Sequence, residues 1–362
     1  CSGGHEALSA RNPFSQEELV LKRLVPGLVI GALALTSTAA VAADGDTLAK
    51  VQEQGVVVCG VNGGLPGMSV LNEETGIFEG MDGDYCRAVA AAVFGDDSKV
   101  QFATLTADQR ATAIQGGEVD VIFRNTTHTL SRDAGWGDFG PTIFYDGQGM
   151  MVRADSGVTS LEDLEGAAIC VTSGTTTELN LADQMKFLGV SYDPIVAAEI
   201  DTVYGQYEEG RCDAVTSDRS QLAGRRSATA DPSAHVILDG AISKEPLAPL
   251  TAHGDHNWND IISWVVYATI EAEELGITSE NIGEFAGSDN PVVGRFLGET
   301  GELGAALGLE NDFVVDVISA IGNYGEIYDR AFGPESGVEL PREGGPNAHW
   351  TEGGMMYSPP FK

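Results

Sequence analysis

The sequence predicts an α/β protein built from two lobes, and two observations support this prediction. The chain has 362 residues and 43% of them are hydrophobic, which is enough for two domains with cores of their own. Short apolar strands alternate with helical patterns, and the alternation starts again near residue 168. Such alternation is typical of largely parallel sheets that are covered by helices.

The first series of elements begins with an apolar strand at residues 56–59 and an alanine-rich helix at 82–94. Two further strands are predicted at 119–123 and 149–152, and helix-forming residues follow at 160–164. This order of short strands and helices favours the first α/β unit.

The second series repeats the pattern. It contains a strand at residues 168–171, a helix at 177–188 and a strand at 213–216. A later helix is marked at both ends, because Asp255 is a suitable N-cap and Gly276 a suitable stop. The rest of the chain is rich in Gly and contains helical stretches at about 291–307 and 312–332.

The N-terminal part of the sequence predicts export. Lys22 and Arg23 precede an apolar run at residues 24–35, and small residues follow it. A basic start, a short apolar stretch and an Ala-Val-Ala site are typical of a secretory signal peptide, here residues 22–43. A membrane anchor is the alternative, but the run is shorter than the ~20 residues that a span needs. We expect the mature chain to begin near Asp44.

Residues 1–21 are predicted to be an upstream extension. The chain begins with Cys1 and carries acidic residues ahead of the signal peptide, whereas a secretory N-terminus is short and basic. In an alternative interpretation Cys1 is a lipid-attachment cysteine, which would leave residues 22–43 without a purpose.

The charge of the chain excludes some classes of partner. The formal net charge is −34, from 54 acidic and 20 basic residues. So strong a negative field disfavours nucleic acid and anionic membrane surfaces as partners.

Apart from Cys1, the sequence has four cysteines, which predicts two disulfides in an oxidising compartment. Three pairings are possible. We favour Cys59–Cys86 and Cys170–Cys212, because each pair falls within one predicted lobe. Each loop would stabilise the fold by roughly 3–4 kcal/mol in the chain-entropy model. The alternative of a zinc site, or of any metal site, lacks a CxxC spacing and a nearby set of His ligands.

Polar residues follow the predicted strand at 119–123. Asn125 and Thr127 come directly after it, and Arg132 lies a few residues further on. Ligands of α/β proteins bind beyond the carboxyl ends of the strands, and the planar fork of Arg is suited to a carboxylate. The spacing alone is equally compatible with a surface Arg that follows a polar turn.

The second series has two comparable positions. Thr175 and Thr176 lie where a strand ends and a helix begins with unpaired N–H groups, which suits a carboxylate. Asp218 follows another strand and could hold an ammonium group. In the alternative interpretation, these residues merely cap helices.

Taken together, several motifs resemble one family. They are GVVVCGVN from residue 55, GMDGDYCRAVA from 80, RNTTHTLSR from 124, SGTTTE from 173, GRCDAVTSD from 210 and HGDHNW from 253. From about residue 47 onward the chain is similar to the polar amino-acid-binding proteins of bacterial ABC transporters. The similarity is greatest to the general L-amino-acid-binding type.

This resemblance implies the type II periplasmic-binding-protein fold, in which two crossover strands act as a hinge between two lobes. The first lobe would comprise residues 44–150 and 250–362, and the second 151–249. The protein would act in the periplasm as a monomer. It would bind free L-amino acids and contact the inner-membrane permease subunits, with no catalysis, cofactor or nucleic acid.

The resemblance also implies roles for individual residues. Arg132 would clamp the ligand's carboxylate, with Asn125 and Thr127 at neighbouring polar positions. On the second lobe, Thr175 and Thr176 would contact the carboxylate and Asp218 the ammonium group.

Side-chain selectivity is predicted from the loop at residues 62–68. This loop is small and apolar, and Gly63, Gly64 and Met68 would form a roomy wall. Such a wall favours broad specificity, because Met adapts to different shapes. The alternatives are a narrow-specificity carrier of the glutamate or glutamine type, a dehydratase of small carboxylates on the same fold, and a carrier that serves a sensor or chemoreceptor.

Overall fold

A computed structural model describes residues 46–362. The predicted extension at 1–21 and the predicted signal peptide at 22–43 lie outside these residues. The described chain contains fifteen strands and twelve α-helices. None of its helices combines the length and the apolar character that crossing a bilayer requires.

The strands are short. In chain order they are β1 Val57–Val61, β2 Gly64–Leu65, β3 Ser69–Leu71, β4 Phe78–Glu79, β5 Val100–Thr104, β6 Val121–Ile122, β7 Asp138–Phe139, β8 Phe144–Asp146, β9 Gln148–Arg153, β10 Ala167–Thr172, β11 Tyr192–Ala197, β12 Ala214–Asp218, β13 His235–Ile237, β14 Glu245–Leu247 and β15 Leu250–Thr251.

The helices alternate with these strands. They are α1 Asp46–Gln54, α2 Met81–Phe94, α3 Gln109–Gln115, α4 Leu130–Gly135, α5 Thr176–Leu188, α6 Ile200–Glu208, α7 Arg219–Ser227, α8 His256–Glu274, α9 Pro291–Phe296, α10 Leu303–Leu307, α11 Phe313–Ile321 and α12 Tyr324–Phe332. Short 3-10 turns lie at Glu162–Leu164, Pro232–Ala234, Ile282–Phe285 and Trp350–Glu352.

The first sheet has the order β5-β1-β6-β15-β7. Strands β5, β1 and β6 are parallel, whereas β15 runs antiparallel to both of its neighbours. Successive side chains of a strand point to opposite faces of the sheet. Val57 and Cys59 therefore face the large core beneath α2, α8 and α11, while Val58 faces the smaller cluster around α3.

The second sheet repeats this plan with the order β11-β10-β12-β9-β13. Strands β11, β10 and β12 are parallel, and β9 runs antiparallel to β12 and β13. Ile169 and Val171 of β10 pack beneath α5, whereas Cys170 faces α6 and α7. Helices thus cover both faces, as expected for parallel strands.

The prediction of largely parallel sheets holds for three strands of each sheet. The predicted strand at 149–152 forms, as β9, but it is antiparallel. Its direction follows from the chain path, because β9 comes directly after β8 and enters the second sheet beside β12.

Two strands pass between the sheets. β8 pairs antiparallel with β14, and each lies in sequence next to strands of the two five-stranded sheets. This is the type II periplasmic-binding-protein fold with two crossover strands. We retain the division into a first lobe of 44–150 and 250–362 and a second of 151–249 as a proposal.

The cysteines form the two disulfide pairs that the sequence favours. Cys59 is joined to Cys86, and Cys170 to Cys212. The Cα atoms are 5.9 and 5.7 Å apart, within the usual range for disulfides. Each bridge ties a parallel strand, β1 or β10, to a neighbouring element, since Cys86 lies in α2 and Cys212 precedes β12.

The helix predicted from Asp255 is α8. The Asp255 carboxylate accepts a hydrogen bond from the N–H of Trp258 at 2.9 Å, as an N-cap should. The helix ends before Gly276, whose φ is 68°. The predicted stretch at 312–332 divides into α11 and α12, because Asn323 forms a capping box with Glu326 and starts a new helix.

The C-terminal segment braces the crossover region. Asn347 is buried, and its side chain pairs with the backbone of Tyr145 in β8. It accepts from the Tyr145 N–H at 2.7 Å and donates to the Tyr145 carbonyl at 3.0 Å. The Arg342 guanidinium lies over the Tyr324 ring and donates to the Glu273 carboxylate. Residues beyond α12 therefore complete the structure around β8.

Candidate ligand-binding site

A cavity is lined by residues that follow the carboxyl ends of the parallel strands in both sheets. This is the place where open α/β sheets bind ligands. The lining residues are Asn62, Ala107, Arg110, Arg124, Asn125, Thr127, Arg132, Thr172, Thr175, Thr176, Thr177, Ile200, Ser217, Asp218 and Gln221. All six predicted ligand-binding residues belong to this set.

Arg132 lies in α4, which begins after the N-cap Thr129. Its side chain is only 6% exposed. One guanidinium nitrogen donates to the carbonyl of Thr127 at 3.1 Å, and the guanidinium lies 4.7 Å from the centre of the Trp136 ring. Burial lowers the pKa of Arg132, while the negative charges of Asp218 and Glu245 raise it. The stacking and the hydrogen bond hold this cation in one orientation at the cavity wall.

Asp218 ends β12 and immediately precedes α7. It is 5% exposed, and its side chain makes no capping hydrogen bond to the helix. One carboxylate oxygen, Oδ1, is buried and has no hydrogen-bond partner in the described chain. Burial and then the neighbouring Asp146 and Glu245 raise the pKa of Asp218 well above its usual value. A cationic group in the cavity would satisfy this oxygen.

The start of α5 offers N–H donors. The Thr175 hydroxyl caps the helix by accepting from the N–H of Glu178 at 3.1 Å. The Thr176 hydroxyl donates to Glu245 at 2.8 Å. The N–H groups of Thr176 and Thr177 have no acceptor within residues 46–362. Unpaired N–H groups at a helix start attract an anion.

Asn125 and Thr127 follow β6. Asn125 has a positive φ of 31°, a conformation that Asn tolerates better than most residues. Its N–H donates to the buried carboxylate of Asp82 at 2.9 Å. Burial raises the pKa of Asp82 to about 6, although the Asn125 N–H and the charge of Arg124 act in the opposite direction. The Thr127 carbonyl accepts the hydrogen bond that orients Arg132.

Contacts join the two sides of the cavity directly. Ser173 donates to Asp108 at 2.8 Å, and the Asn125 amide donates to Gln221 at 3.4 Å. The hydroxyls of Thr127 and Thr176 are 3.4 Å apart. The cleft is therefore closed in this structure.

Sequence reasoning missed several lining residues, of which Arg110 and Arg124 are the most important. Arg110 follows β5, a strand that contains the polar residues Gln101 and Thr104 and that the search for apolar runs did not reveal. Arg124 stands next to the predicted Asn125, and its position two residues after β6 was the available signal. Asn62 and Gln221 likewise follow strands β1 and β12.

The prediction that Met68 and the glycines of the loop at 62–68 form the cavity wall is wrong. Met68 is 1% exposed and packs into the large core around α2. Gly63 and Gly64 do not line the cavity, and Asn62 is the loop residue that does. The small sheet of β2, β3 and β4 turns Met68 inward. The wall is consequently polar and compact, and the breadth of specificity stays a prediction.

The sequence pattern of the bacterial extracellular solute-binding proteins, family 3, matches residues 57–333. The chain belongs to this family. The match covers both five-stranded sheets and the cavity residues between them, and it confirms the resemblance predicted from the motifs.

Relatives of this family 3 protein are similar over nearly their whole length. A general L-amino acid-binding periplasmic protein, AapJ, from Rhizobium johnstonii is 46% identical to this chain. The aligned region covers 94% of this chain and 100% of AapJ. The glutamate/glutamine/aspartate/asparagine-binding protein BztA from Rhodobacter capsulatus is 45% identical over 92% and 98%, respectively.

A solved structure supports the fold. An ABC transporter periplasmic binding protein from Brucella ovis, with glutathione bound, has a TM-score of 0.85 to this family 3 protein. It is 46% identical and covers 89% of this chain and 100% of its own.

Proposed function

We propose that this protein is the periplasmic substrate-binding component of an amino-acid ABC transporter and that it binds L-amino acids by their common zwitterionic head group. The family match and the similarity to AapJ and BztA support the proposal. In this proposal the ligand leaves unchanged, the protein acts as a monomer, and its partner is an inner-membrane permease.

The observation that carries the proposal is the meeting of Arg132 and Asp218 in one cavity. Arg132 supplies a planar cation, and Asp218 supplies a buried carboxylate oxygen without a partner. An α-amino acid carries one group for each. The carboxylate would accept from Arg132 and from the N–H groups of Thr176 and Thr177, and the ammonium group would donate to Asp218.

The position of Arg132 and Asp218 on opposite sides of the cavity also explains why the cleft would close on the ligand. Arg132 comes from the first sheet's side of the cavity, and Asp218 from the second. Each binds one charge of the ligand, so an amino acid joins the two sides and favours the closed form. A permease that contacts both sides would then distinguish the loaded protein from the empty one.

Calorimetric titration with a panel of ligands tests this function. We expect several L-amino acids to bind, and D-amino acids to bind much more weakly. Amines that lack the carboxylate and carboxylates that lack the amine should also bind weakly, because each leaves one buried charge without its partner. Glutathione belongs in the panel because the similar Brucella ovis protein has it bound. Binding of a sugar or a metal ion, with no binding of α-amino acids, would refute the proposal.

Export is part of the same proposal, with residues 22–43 as the signal peptide. N-terminal sequencing of the exported protein should find a mature end near Asp44. A mature end at Cys1 would contradict it.

Closure gives a steric prediction at Gly224. An added Cβ on this residue of α7 would lie 2.4 Å from the backbone oxygen of Pro66, on the other side of the cleft. The variant Gly224→Ala should bind amino acids roughly 5- to 150-fold more weakly, because relieving such overpacking costs about 1–3 kcal/mol in the closed form. The helix itself should tolerate the change, since Ala is the better helix former.

Gly205→Ala is the matched control for this test. Gly205 also lies in a helix, α6, and an added Cβ there would have no atom within 4 Å. Titration calorimetry should therefore detect weaker binding for Gly224→Ala alone. Equal affinities for the two variants would show that the contact with Pro66 does not limit closure.

A further inference from the structure

Three buried arginines line the cavity, although a zwitterionic head group needs only one. Arg110 comes from α3, Arg124 lies two residues after β6, and Arg132 lies in α4. Arg110 is 2% exposed, and Arg124 is 6% exposed. Arg132 is assigned above to the ligand's α-carboxylate. Arg110 and Arg124 remain to be explained.

Neither of these two guanidinium groups has a carboxylate partner among the described residues. Within residues 46–362, no ion pair forms at Arg110 or Arg124. Arg110 donates to the Ala107 carbonyl at 3.0 Å and to the Thr126 hydroxyl at 3.3 Å. Both acceptors are neutral. The charge of Arg110 is therefore buried without direct compensation.

Arg124 is in a similar position. Its Nε donates to the carbonyl of Leu105 at 2.7 Å, and its two terminal nitrogens have no hydrogen-bond acceptor in the described chain. Asp82 is the carboxylate that most raises the pKa of Arg124, but it faces the Asn125 N–H and does not line the cavity. The terminal nitrogens of Arg124 are thus available to a ligand.

The charges around the cavity are unbalanced. The lining contains three guanidinium groups and one carboxylate, that of Asp218. Burial and the neighbouring Arg124 and Arg132 lower the pKa of Arg110, and burial lowers that of Arg124 to about 10. The buried cations thus repel one another. Buried charges of this kind are stable when a partner of opposite charge is supplied.

We propose that Arg110 and Arg124 form a second anion subsite, which gives ligands with a side-chain carboxylate the highest affinity. The inference rests on the proposed function, because Arg132 and Asp218 must hold the head group. With both head-group charges paired, Arg110 and Arg124 keep an excess positive charge that Asp82 only partly balances. Glutamate or aspartate brings one further negative charge, which the planar forks of these arginines can accept.

The same subsite predicts the order of affinity among the other ligands. A neutral amide can accept from Arg110 or Arg124, and its N–H groups can donate to the buried and unpaired Oδ1 of Asn62, so glutamine comes second. Lysine would place a cation beside the two guanidinium groups and comes last. Broad recognition of the head group and a preference for acidic side chains are compatible.

The test compares L-glutamate with L-glutamine, which have nearly the same shape and differ in charge. In calorimetric titrations of the full exported protein, we expect glutamate to bind at least tenfold tighter than glutamine. L-lysine should bind at least 100-fold more weakly than glutamate. In Arg110→Met and Arg124→Met, the ratio of glutamate affinity to glutamine affinity should fall at least fivefold, because glutamate loses a charge-assisted contact where glutamine loses only a neutral acceptor's hydrogen bond.

Two further variants complete the design. Arg110→Lys keeps the charge and should retain part of the preference, even where the Met variants lose stability. Arg211→Met removes an exposed Arg outside the cavity and should leave the preference unchanged.

Glutamine binding as tightly as glutamate in the unaltered protein would overturn the inference. An undiminished preference in both Met variants would overturn it too. The proposed function would survive either result, because neutral amino acids would still bind. If no α-amino acid bound at all, the proposed function would fail and this inference with it.

Discussion

Asp218→Asn is expected to weaken the binding of every amino acid by about 2–5 kcal/mol, a factor of roughly 30 to several thousand. The Asn amide has nearly the same shape, but it offers the ligand's ammonium group a neutral oxygen. The ammonium group would then be buried without a compensating charge, which is costly. Calorimetric titration with one tightly binding amino acid measures the loss.

The same substitution should have the opposite effect on the ligand-free protein. The pKa of Asp218 is raised in the folded state, chiefly by burial, so its charged form destabilises the fold. The stability that its protonated form contributes is complete below the unfolded pKa and is lost as the pH rises through the folded pKa. Asn does not ionise, so the Asp218→Asn variant avoids this loss of stability. Denaturant unfolding at neutral pH without ligand should therefore give a higher free energy of unfolding.

Asp193→Asn is the matched control, because Asp193 is an exposed carboxylate of β11 outside the cavity. It should change neither the affinity nor the free energy of unfolding appreciably. If Asp218→Asn bound amino acids as tightly as the unaltered protein, Asp218 could not be the ammonium contact.

Ligand binding should depend on pH for the same reason. Because the pKa of Asp218 is raised in the ligand-free protein, its protonated form, which cannot pair with an ammonium group, persists to a higher pH than in an ordinary carboxyl group. Affinity should fall as the pH is lowered through this raised pKa, and binding should release protons there. Titrations in two buffers of different ionisation enthalpy measure the protons released. A constant affinity without proton release would contradict the assignment.

Arg132→Met is expected to cost about 2–5 kcal/mol of binding free energy as well. The ligand's carboxylate would lose its planar, charge-assisted contact in a site from which water is excluded. Arg132→Lys should recover only part of the loss, because a point charge cannot reproduce the fork that Trp136 and the Thr127 carbonyl hold in place.

A comparison of ligands shows whether the loss belongs to the carboxylate. An amine without a carboxylate already lacks this contact, so Arg132→Met should weaken its binding far less than that of the matching amino acid. The exposed Arg211, exchanged for Met, again serves as the control. Equal losses for the amine and the amino acid would indicate a general distortion of the cavity and would refute the clamping role.

Local patterns predicted many of the elements that build the site. The helices α2, α5 and α8 have clear apolar periodicity or caps, the strands β1 and β10 are mostly apolar runs, and β12 begins with apolar residues. Once strand ends are known, the rule that ligands bind beyond them points to polar residues such as Arg132 and Asp218. Their separate roles came from the family resemblance, because spacing alone equally allows a surface Arg and a helix cap.

Other parts of the site could not be predicted locally. Strand β5 has a mixed pattern of burial, so the sequence did not place Arg110 at the end of a strand. Met68 was expected at the cavity but belongs to the core, because the pairing of β2 with β3 turns the loop. The direction of a side chain in a turn depends on contacts with residues that are distant in sequence.

The amino-acid sequence therefore determined the α/β class, the two-lobed plan, the favoured cysteine pairs and six polar positions that line the cavity. These features depend on periodicity, caps and motifs, which act over a few residues. The tertiary structure alone decided that Arg110 and Arg124 share the cavity, that Gly224 touches Pro66, and that Asp218 has an unpaired oxygen. The reason is physical: strand order and closure bring together residues from separate elements, some of them more than one hundred positions apart, and burial then shifts the pKa values of the charged groups among them.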